Sequence, residues 1–476
     1  MNAPIRRLYI LFLVLFGVLV YFTSKNAVFD AEALRDNPLN RRALLEEQRI
    51  HRGTIRAADG TVVARSTKQR GDVYTRHYPT NGLFAHAIGY SFTTLGRAGL
   101  ERYRNDELTG KNNELKSVLD QLRGKQRVGD NVRTTLDPDA QKVAYDQLAG
   151  RKGAVVALDP RNGDVKVMAS EPTYDPNLLR SPKTYSRLAN DNANKPLVNR
   201  ATQFGYAPGS TFKVVTATAA IDSGEFTPTS TVDGKNGVKI SGVPLQNDFN
   251  QSFGPITLAA ALEQSVNTVY AQVGEKLGKR TMREYMNRFG FNRKPQLDYP
   301  AEQMSASGEY SNGHLISTLS PRVDVGRMAI GQDKLAVVPL QMAQVAAAVA
   351  NGGKLMKPHM TDRIVDTDGR TVDTIKPEVQ STVMKPSTAS EVTGMMERVV
   401  QSGTGTQAQI PGVRVAGKTG TAETQIGRTI NNVWFIAFAP ADHPTVAIAV
   451  TMQGQPGFGG DVAAPVAKAV MESLLK

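Results

Sequence analysis

The chain has 476 residues, and 57 Lys and Arg against 44 Asp and Glu give it a formal net charge of +13. An apolar fraction of 40% and a charged fraction of 21% are typical of a folded protein and exclude disordered, collagen-like and multi-span membrane classes. The chain has no Cys, which excludes disulfides, thiolate metal sites and a cysteine nucleophile. The basic balance suits an anionic partner such as an acidic membrane face or polymer.

The first predicted element is a membrane segment. Residues 8–24 contain no charge, and as a helix they would rise about 25 Å, close to the thickness of a hydrocarbon layer. Arg6 and Arg7 precede the segment, so residues 1–7 are expected to be a cytoplasmic tail and the rest of the chain extracytoplasmic. A cleaved signal is the alternative, but no small-residue cleavage site follows closely. We predict a single-pass signal anchor in the plasma membrane.

Residues 25–150 carry many turn signals and few long periodic runs, and we interpret them as a small non-catalytic pedestal domain. Residues 52–64 predict two short strands joined by a Gly turn. Leu115–Leu122 could form an amphipathic helix, and Asp137-Pro138 predicts the start of a helix over Ala140–Leu148.

From residue 151 the pattern changes to that of a second domain, 151–476. Two strands, Gly153–Leu158 and Val165–Ala169, flank an Asn-Gly turn. The elements predicted after them are helices at Ser210–Ser223, Leu258–Leu277 and Pro339–Ala350, strands at Val413–Ala416, Asn432–Ala439 and Thr445–Thr451, and a helix at Ala463–Leu475. Strands at both ends with helices between them predict an α+β fold, in which an antiparallel sheet lies beside an all-helical insertion.

A possible nucleophile and base lie where the pattern turns helical. Ser210 and Lys213, in Pro-Gly-Ser-Thr-Phe-Lys, are three residues apart and would share one helix face. A Lys held neutral by burial or a nearby cation can remove the proton of a Ser hydroxyl, and a helix N-terminus can stabilise an oxyanion. The alternative is an N-capping Ser beside a surface Lys.

Two further motifs follow in chain order. Ser265-Val266-Asn267 lies in a helix-prone stretch, and Lys418-Thr419-Gly420 follows the short strand from Val413. Singly, these could be polar helix residues and a strand-edge charge. Together, Ser-x-x-Lys, Ser-x-Asn and Lys-Thr-Gly in this order are the motif set of penicillin-binding proteins and class A β-lactamases.

From residue 151 onward the chain resembles the transpeptidase domain of penicillin-binding proteins. Residues 154–177, 199–213, 329–332 and 416–423 carry the likeness. The N-terminal anchor and short pedestal, with Arg52-Gly53 and Gly99-Leu100-Glu101, resemble the class B, monofunctional kind and are most similar to the actinobacterial penicillin-binding protein A type. This resemblance implies a five-stranded antiparallel sheet flanked by helices, with an all-helical subdomain.

The resemblance also implies a peptidoglycan D,D-transpeptidase. Ser210 would attack the penultimate D-Ala carbonyl of a stem peptide, with Lys213 as its base. Ser265 would relay a proton to the leaving amine. The side chain of Asn267 would bind the stem-peptide amide, and Lys418 would favour a neutral Lys213.

Substrate binding is expected at Thr419, Gly420 and Thr421, whose two hydroxyls would hold the substrate carboxylate. The backbone N–H groups of Ser210 and Thr421 would form the oxyanion hole. β-Lactams would acylate Ser210, and a second stem's amine would complete the cross-link. Glycan polymerisation would need a partner, expected to be a membrane-embedded polymerase, because the region before residue 150 is too short for a glycosyltransferase domain.

Other functions are less well supported by the residues. The six His show no ligand spacing, so no metal is expected, and no cofactor fingerprint or nucleic-acid-binding run is present. Val266 replaces the Asp of Ser-Asp-Asn, and no Glu-x-x-x-Asn lies between Ser265 and Lys418, which disfavours hydrolysis of β-lactams. A D,D-carboxypeptidase, a β-lactam sensor and a non-catalytic scaffold remain as alternatives.

Overall fold

The structure is a computed structural model, and it describes residues 3–25, 48–71, 73–111, 128–423 and 430–476. The predicted helix Leu115–Leu122 lies outside these residues. The α-helices are α1 (Ala3–Ser24), α2 (Ala85–Ile88), α3 (Gly99–Tyr103), α4 (Asn105–Leu108), α5 (Pro138–Leu148), α6 (Pro182–Ala189), α7 (Lys213–Asp222), α8 (Leu258–Glu263), α9 (Asn267–Arg288), α10 (Val325–Met328), α11 (Pro339–Ala350), α12 (Pro386–Gln401) and α13 (Gly459–Leu474).

The strands belong to two main sheets and several short ribbons. They are β1 (Ile55–Arg56), β2 (Val62–Lys68), β3 (Tyr74–His77), β4 (Ser91–Phe92), β5 (Gly96–Arg97), β6 (Asn131–Thr134), β7 (Gly153–Leu158), β8 (Val165–Glu171), β9 (Thr231–Asp233), β10 (Val238–Ile240), β11 (Val243–Leu245), β12 (Pro255–Thr257), β13 (Gly308–Ser311), β14 (His314–Ile316), β15 (Leu335–Ala336), β16 (Lys354–Met356), β17 (Thr361–Val365), β18 (Thr371–Thr374), β19 (Val379–Thr382), β20 (Ala416–Glu423), β21 (Ile430–Ala439) and β22 (Val446–Pro456).

The N-terminal helix α1 is a candidate membrane span. Its most apolar window has a mean hydropathy of 2.1, and none of its residues is buried against the rest of the described chain. In those described residues it is the one helix with the length and composition to cross a bilayer. The predicted segment 8–24 lies within this helix.

The five-stranded sheet joins the two ends of residues 151–476. Its strand order is β20-β21-β22-β7-β8, and all neighbouring strands are antiparallel. The first and last parts of the domain meet where β7 pairs with β22, with Val155 opposite Val450. Helices α5 and α13 pack on one face, against Val155 and its same-face neighbours, while α7 and α11 belong to the core on the other face. Because both faces are covered, every residue of β7 is buried. The predicted α+β architecture is confirmed.

Two local predictions were wrong at functionally important places. The predicted continuous helix Leu258–Leu277 is broken after α8, because Ser265 has a φ of 58°, a left-handed conformation that interrupts the helical hydrogen bonds. The predicted strand Val413–Ala416 in fact begins at Ala416 and runs through the Lys-Thr-Gly motif as β20. By contrast, the bounds of α5, with its Asp137 N-cap, and of α11 agree closely with the predicted helices.

A second sheet of six strands has the order β18-β17-β6-β1-β2-β3. Four of its strands come from residues 55–134, and the hairpin β17–β18 comes from residues 361–374. This sheet therefore draws on both sides of the composition change at residue 151.

The two N-terminal motifs of the sequence meet beneath that sheet. The guanidiniums of Arg52 and Arg76 both bind the fully buried carboxylate of Glu101, with Arg52 Nε 2.7 Å from Glu101 Oε2. Burial acts to raise the pKa of Glu101, but the two guanidiniums outweigh it and hold the pKa below its usual value. Glu101 is therefore a buried charge that is paired with two guanidiniums. Removing one member of such a group is strongly destabilising, because it leaves a buried charge uncompensated.

Candidate active site

A cleft of about 240 Å³ opens between β20, the loops of the helical insertion and the N-terminus of α13. The cleft-lining residues are Ser210, Asp248, Phe249, Ser265, Thr404, Thr419, Gly420, Thr421, Phe458, Gly459, Gly460 and Asp461. Lys213, Asn267 and Lys418 lie buried behind this lining. The fold therefore brings the three sequence motifs together.

Ser210 lies on a 3₁₀ turn, Gly209–Phe212, that leads directly into α7. Gly209 has a φ of 52°, and a Cβ there would come 2.5 Å from the carbonyl oxygen of Thr421, so only glycine allows this turn to lie against β20. Ser210 is partly exposed on the cleft wall. Among the described residues, its hydroxyl makes no hydrogen bond, which leaves it open to an incoming group.

Lys213 is the first residue of α7 and is fully buried. Its Nζ donates hydrogen bonds to the Ser265 carbonyl at 2.6 Å and to Asn267 Oδ1 at 2.7 Å, and lies 3.3 Å from Ser265 Oγ. Burial lowers the pKa of Lys213 to about 7, against an opposing effect of the Asp248 carboxylate. A substantial fraction of this amine is therefore neutral near neutral pH.

Ser265 lies between the two lysines because the helix break after α8 turns it into the cleft. Its Oγ accepts a hydrogen bond from Lys418 Nζ at 2.9 Å, in addition to the longer contact with Lys213. Asn267 begins α9, and its Oδ1 faces Lys213. The break that the sequence pattern did not indicate is thus what gives both side chains their positions.

Lys418 lies on β20 and is fully buried. Besides Ser265, its Nζ contacts the carbonyl of Thr419 at 3.1 Å and Thr419 Oγ1 at 3.3 Å. Burial, and secondarily the charge of Lys213, hold the pKa of Lys418 well below its usual range, with Asp248 opposing. Two buried amines this close resist carrying two positive charges, so the pair titrates as a unit.

β20 is the edge strand of its sheet, with β21 as its neighbour. An edge strand offers backbone N–H and C=O groups to an extended ligand. Thr419 Oγ1 lies 2.7 Å from Thr404 Oγ1, and Thr421 Oγ1 accepts a hydrogen bond from the Gly459 N–H at 3.2 Å. The Lys-Thr-Gly-Thr segment therefore presents hydroxyls and a strand edge to the cleft.

Several cleft residues were missed by the sequence analysis. Asp248 Oδ1 accepts a hydrogen bond from Asn267 Nδ2 at 3.2 Å, and the rings of Phe249 and Phe458 approach to 5.3 Å between centroids. These residues belong to none of the three motifs. The run Ser402–Thr406, rich in small residues, was the one sequence signal that could have indicated a loop at Thr404.

The arrangement suits acyl transfer through a covalent intermediate. A free hydroxyl lies in a cleft, a buried amine with a lowered pKa lies at the start of the next helix, and a second hydroxyl joins this amine to another. This is the set of groups that activates a serine and carries its proton to a leaving group.

Comparisons with known proteins agree with this chemistry. Residues 153–472 match the family described as penicillin binding protein transpeptidase domain, and residues 52–132 match the one described as penicillin binding protein A dimerisation domain. The chain is 33% identical over 505 residues to peptidoglycan D,D-transpeptidase PbpA of Mycolicibacterium smegmatis, covering 100% of this chain and 99% of that protein. It is 34% identical over 507 residues to PbpA of Mycobacterium tuberculosis, with the same coverage.

Solved structures are also similar. The ceftriaxone acyl-enzyme complex of penicillin-binding protein A from M. tuberculosis superposes with a TM-score of 0.82 at 32% identity, covering 91% of this chain and 100% of that one. Penicillin-binding protein 2 of Pseudomonas aeruginosa superposes with a TM-score of 0.73 at 30% identity, covering 89% and 96%.

Proposed function

This chain belongs to the penicillin-binding protein transpeptidase family and is a peptidoglycan D,D-transpeptidase, and on that premise we propose that Ser210 is the residue that becomes acylated. The observation that carries the proposal is the hydrogen-bonded cluster of Lys213, Ser265, Asn267 and Lys418 beside the open Ser210 hydroxyl.

Lys213 is the base in this proposal. A neutral amine has two hydrogens and one lone pair, and the carbonyl of Ser265 and Oδ1 of Asn267 accept the two hydrogens. The lone pair then remains for the Ser210 proton. Catalytic hydrogen bonds often tighten only when substrate is bound, so a Ser210–Lys213 bond is expected in the complex.

The reaction then proceeds in two steps, acylation of Ser210 and transfer of the acyl group to a second stem. Ser210 Oγ attacks the penultimate D-Ala carbonyl of a stem peptide, and its proton passes to Lys213. The C–N bond breaks as Ser265, bound by both lysines, gives its proton to the departing D-Ala amine and takes the proton from Lys213 in return. A second stem's amine then attacks the resulting ester and loses a proton to Lys213. The C–O bond to Ser210 breaks, the Ser210 oxygen takes that proton from Lys213, and the new amide bond is the cross-link. β-Lactams undergo the acylation step in place of the stem peptide.

The substrate lies along the edge of β20 in this proposal. Thr419, Gly420 and Thr421 line the cleft and bind the stem peptide, with the two hydroxyls on its carboxylate. The backbone N–H groups of Ser210 and Thr421 form the oxyanion hole, and Asn267 binds the stem amide. The closeness of Lys418 and Lys213 disfavours a charge on both, so a proton on either amine favours the neutral form of the other.

The architecture supports a membrane-tethered enzyme. We place residues 1–7 in the cytoplasm, residues 8–24 in the plasma membrane, the pedestal over 25–150 and the transpeptidase domain over 151–476, both outside the cell. Arg6 and Arg7 before the apolar segment support this orientation. The orientation has a direct test: a Cys introduced at exposed Ser252 should react with a membrane-impermeant thiol reagent on whole cells. A membrane-embedded glycan polymerase is the proposed partner.

Intact-mass analysis with benzylpenicillin tests the proposal. The full-length chain in detergent should gain one persistent adduct, Ser210→Ala should gain none, and Ser223→Ala, at the other end of α7, should match the parent. An adduct retained in Ser210→Ala would contradict the assignment. A folded parent that gains no adduct would favour a scaffold role.

A further inference from the structure

A carboxylate outside the three motifs reaches the catalytic cluster. The Ser-x-Asn motif carries Val266 at its central position, but Asp248, on the 3₁₀ turn Asp248–Asn250, lies at the cleft beside Asn267. The turn is held in an unusual backbone conformation, with φ of 56° at Phe249 and 55° at Asn250. That conformation directs the chain so that Asp248 reaches α9.

The contacts of Asn267 fix which way its amide points. Nδ2 lies 3.2 Å from the Gln246 carbonyl and 3.2 Å from Asp248 Oδ1, and neither of these groups can donate a hydrogen. The amide nitrogen must therefore face them, which leaves Oδ1 facing Lys213 Nζ at 2.7 Å. A reversed amide would set its oxygen against two acceptors.

Asp248 also supplies negative charge to the buried amines. It acts against burial on the pKa of Lys213 and of Lys418. Within the described residues, the titratable groups facing Lys213 are Lys418, Asp248 and Tyr270, whose ring centroid lies 6.0 Å from Lys213 Nζ and whose hydroxyl is bound to the Leu258 carbonyl.

We propose that Asp248 is a positioning residue for acylation, which holds Asn267 with its amide oxygen toward Lys213 and sets a carboxylate beside the two-lysine cluster. This inference rests on the proposed function of Ser210 and Lys213. Asp248 acts through Asn267 and through its charge rather than by touching the reacting atoms.

Three substitutions separate the two effects. Asp248→Asn removes the charge but keeps an acceptor for Asn267, Asp248→Ala removes both, and Asp248→Glu keeps both. Glu225→Gln is the control, because this exposed carboxylate follows the end of α7 and lies outside the cleft lining. The acylation rate constant with benzylpenicillin is measured from pH 5 to 9 on the full-length chain in detergent.

Removing the charge lowers the pKa of the pair, so the rise of rate with pH should move to lower pH. For Asp248→Asn we expect a shift of about half a pH unit with a near-normal plateau. For Asp248→Ala we expect the same shift and a plateau lower by roughly 10-fold, as for a lost positioning contact. Asp248→Glu should recover most of the plateau, and Glu225→Gln should match the parent.

Two results would overturn the inference. One is an Asp248→Ala variant with the parental pH profile and the parental plateau. If that variant does not fold, a parental pH profile in Asp248→Asn would overturn the inference instead. The other is an equal shift in Glu225→Gln, which would mean that the effect is not specific to Asp248. An unacylated parent would instead defeat the assignment of Ser210, so the two failures are distinct.

Discussion

At the scale of single residues, the proposed mechanism depends on two lysines that are buried away from water. Lys213 and Lys418 are both fully buried, and Ser265 Oγ lies within hydrogen-bonding distance of each. Burial penalises their charged forms, and the closeness of the two amines penalises double protonation further. The fold thereby produces a base at neutral pH from a side chain that is ordinarily a cation.

We predict that acylation of Ser210 depends on pH through this base. Protonated Lys213 cannot accept the serine proton, so the rate constant with benzylpenicillin should be low in acid, rise through a pKa about 7 and level off above it. Stopped-flow or quenched intact-mass kinetics would measure the profile. Circular dichroism over the same range controls for unfolding, and a flat profile in folded protein would contradict the prediction.

The sequence was sufficient to predict that the three motifs would meet at one site, because Ser-x-x-Lys, Ser-x-Asn and Lys-Thr-Gly occur together in chain order, and the structure brings them to one cleft. It was not sufficient for Asp248 or Thr404. These residues enter the cleft from loops whose paths depend on tertiary packing, and their neighbours carry no periodic pattern. A single Asp or Thr in a polar segment is indistinguishable from a solvated surface residue.

At the scale of elements, the cleft depends on breaks in regular structure. The predicted helix over Leu258–Leu277 has the apolar periodicity of one element, yet it divides at Ser265 so that both hydrogen-bonding side chains turn toward Lys213. Periodicity predicts which residues are buried but not a single left-handed residue, because the break leaves the pattern almost intact. The strands β7 and β21 were predictable because their runs of apolar, strand-favouring residues are long.

We predict that Gly209→Ala damages catalysis more than stability. Its added Cβ would press on the Thr421 carbonyl and push the 3₁₀ turn away from β20. The acylation rate constant should fall by at least roughly 10-fold, as for a misplaced reacting group.

Gly224→Ala is the control for this substitution. Gly224 has a φ of 81° with open space around it, so alanine there introduces backbone strain of about 1 kcal/mol without a clash. Benzylpenicillin kinetics and thermal melting of both variants separate the two effects. Equal acylation by both variants would show that the close approach of turn and strand is dispensable.

At the scale of the whole molecule, the pedestal and the transpeptidase region share structure. The hairpin β17–β18 completes the six-stranded sheet by pairing Ile364 with Val132. A continuous apolar core also extends from pedestal residues such as Ile55 and Phe84 to Val156 of the five-stranded sheet. The composition change near residue 151 marks a change of pattern along the chain, whereas packing joins the two regions.

We predict that replacing residues 362–373 with a short Gly-Ser linker exposes β6 while sparing the active site. The Val132 N–H is bound to the Thr54 carbonyl on the other side of β6, so the alternation along a strand turns the N–H groups of Asn131 and Arg133 toward β17. These two amide hydrogens should exchange at least roughly 10-fold faster, because loss of a sheet neighbour lowers the local opening free energy by about 1 kcal/mol or more. Benzylpenicillin acylation should stay near the parental rate, since no hairpin residue lines the cleft. Asp368→Asn, in the exposed turn, is the control, and unchanged exchange at β6 would refute the structural role.

The pairing of early and late strands also governs how the protein is made. The β7–β8 hairpin leaves the ribosome long before β22, the partner of β7 on the inner side of the sheet, and the buried strand β7 has apolar residues on both faces. A chain synthesised from its N-terminus must therefore wait, with these strands uncovered, until nearly its last residues have been made. Contacts this distant in sequence form slowly and leave aggregation-prone surface exposed meanwhile. Biogenesis of this enzyme thus places its demand on chaperones at the end of synthesis, because β22, which pairs with β7, and α13, which covers one face of the sheet, are among the last elements to emerge.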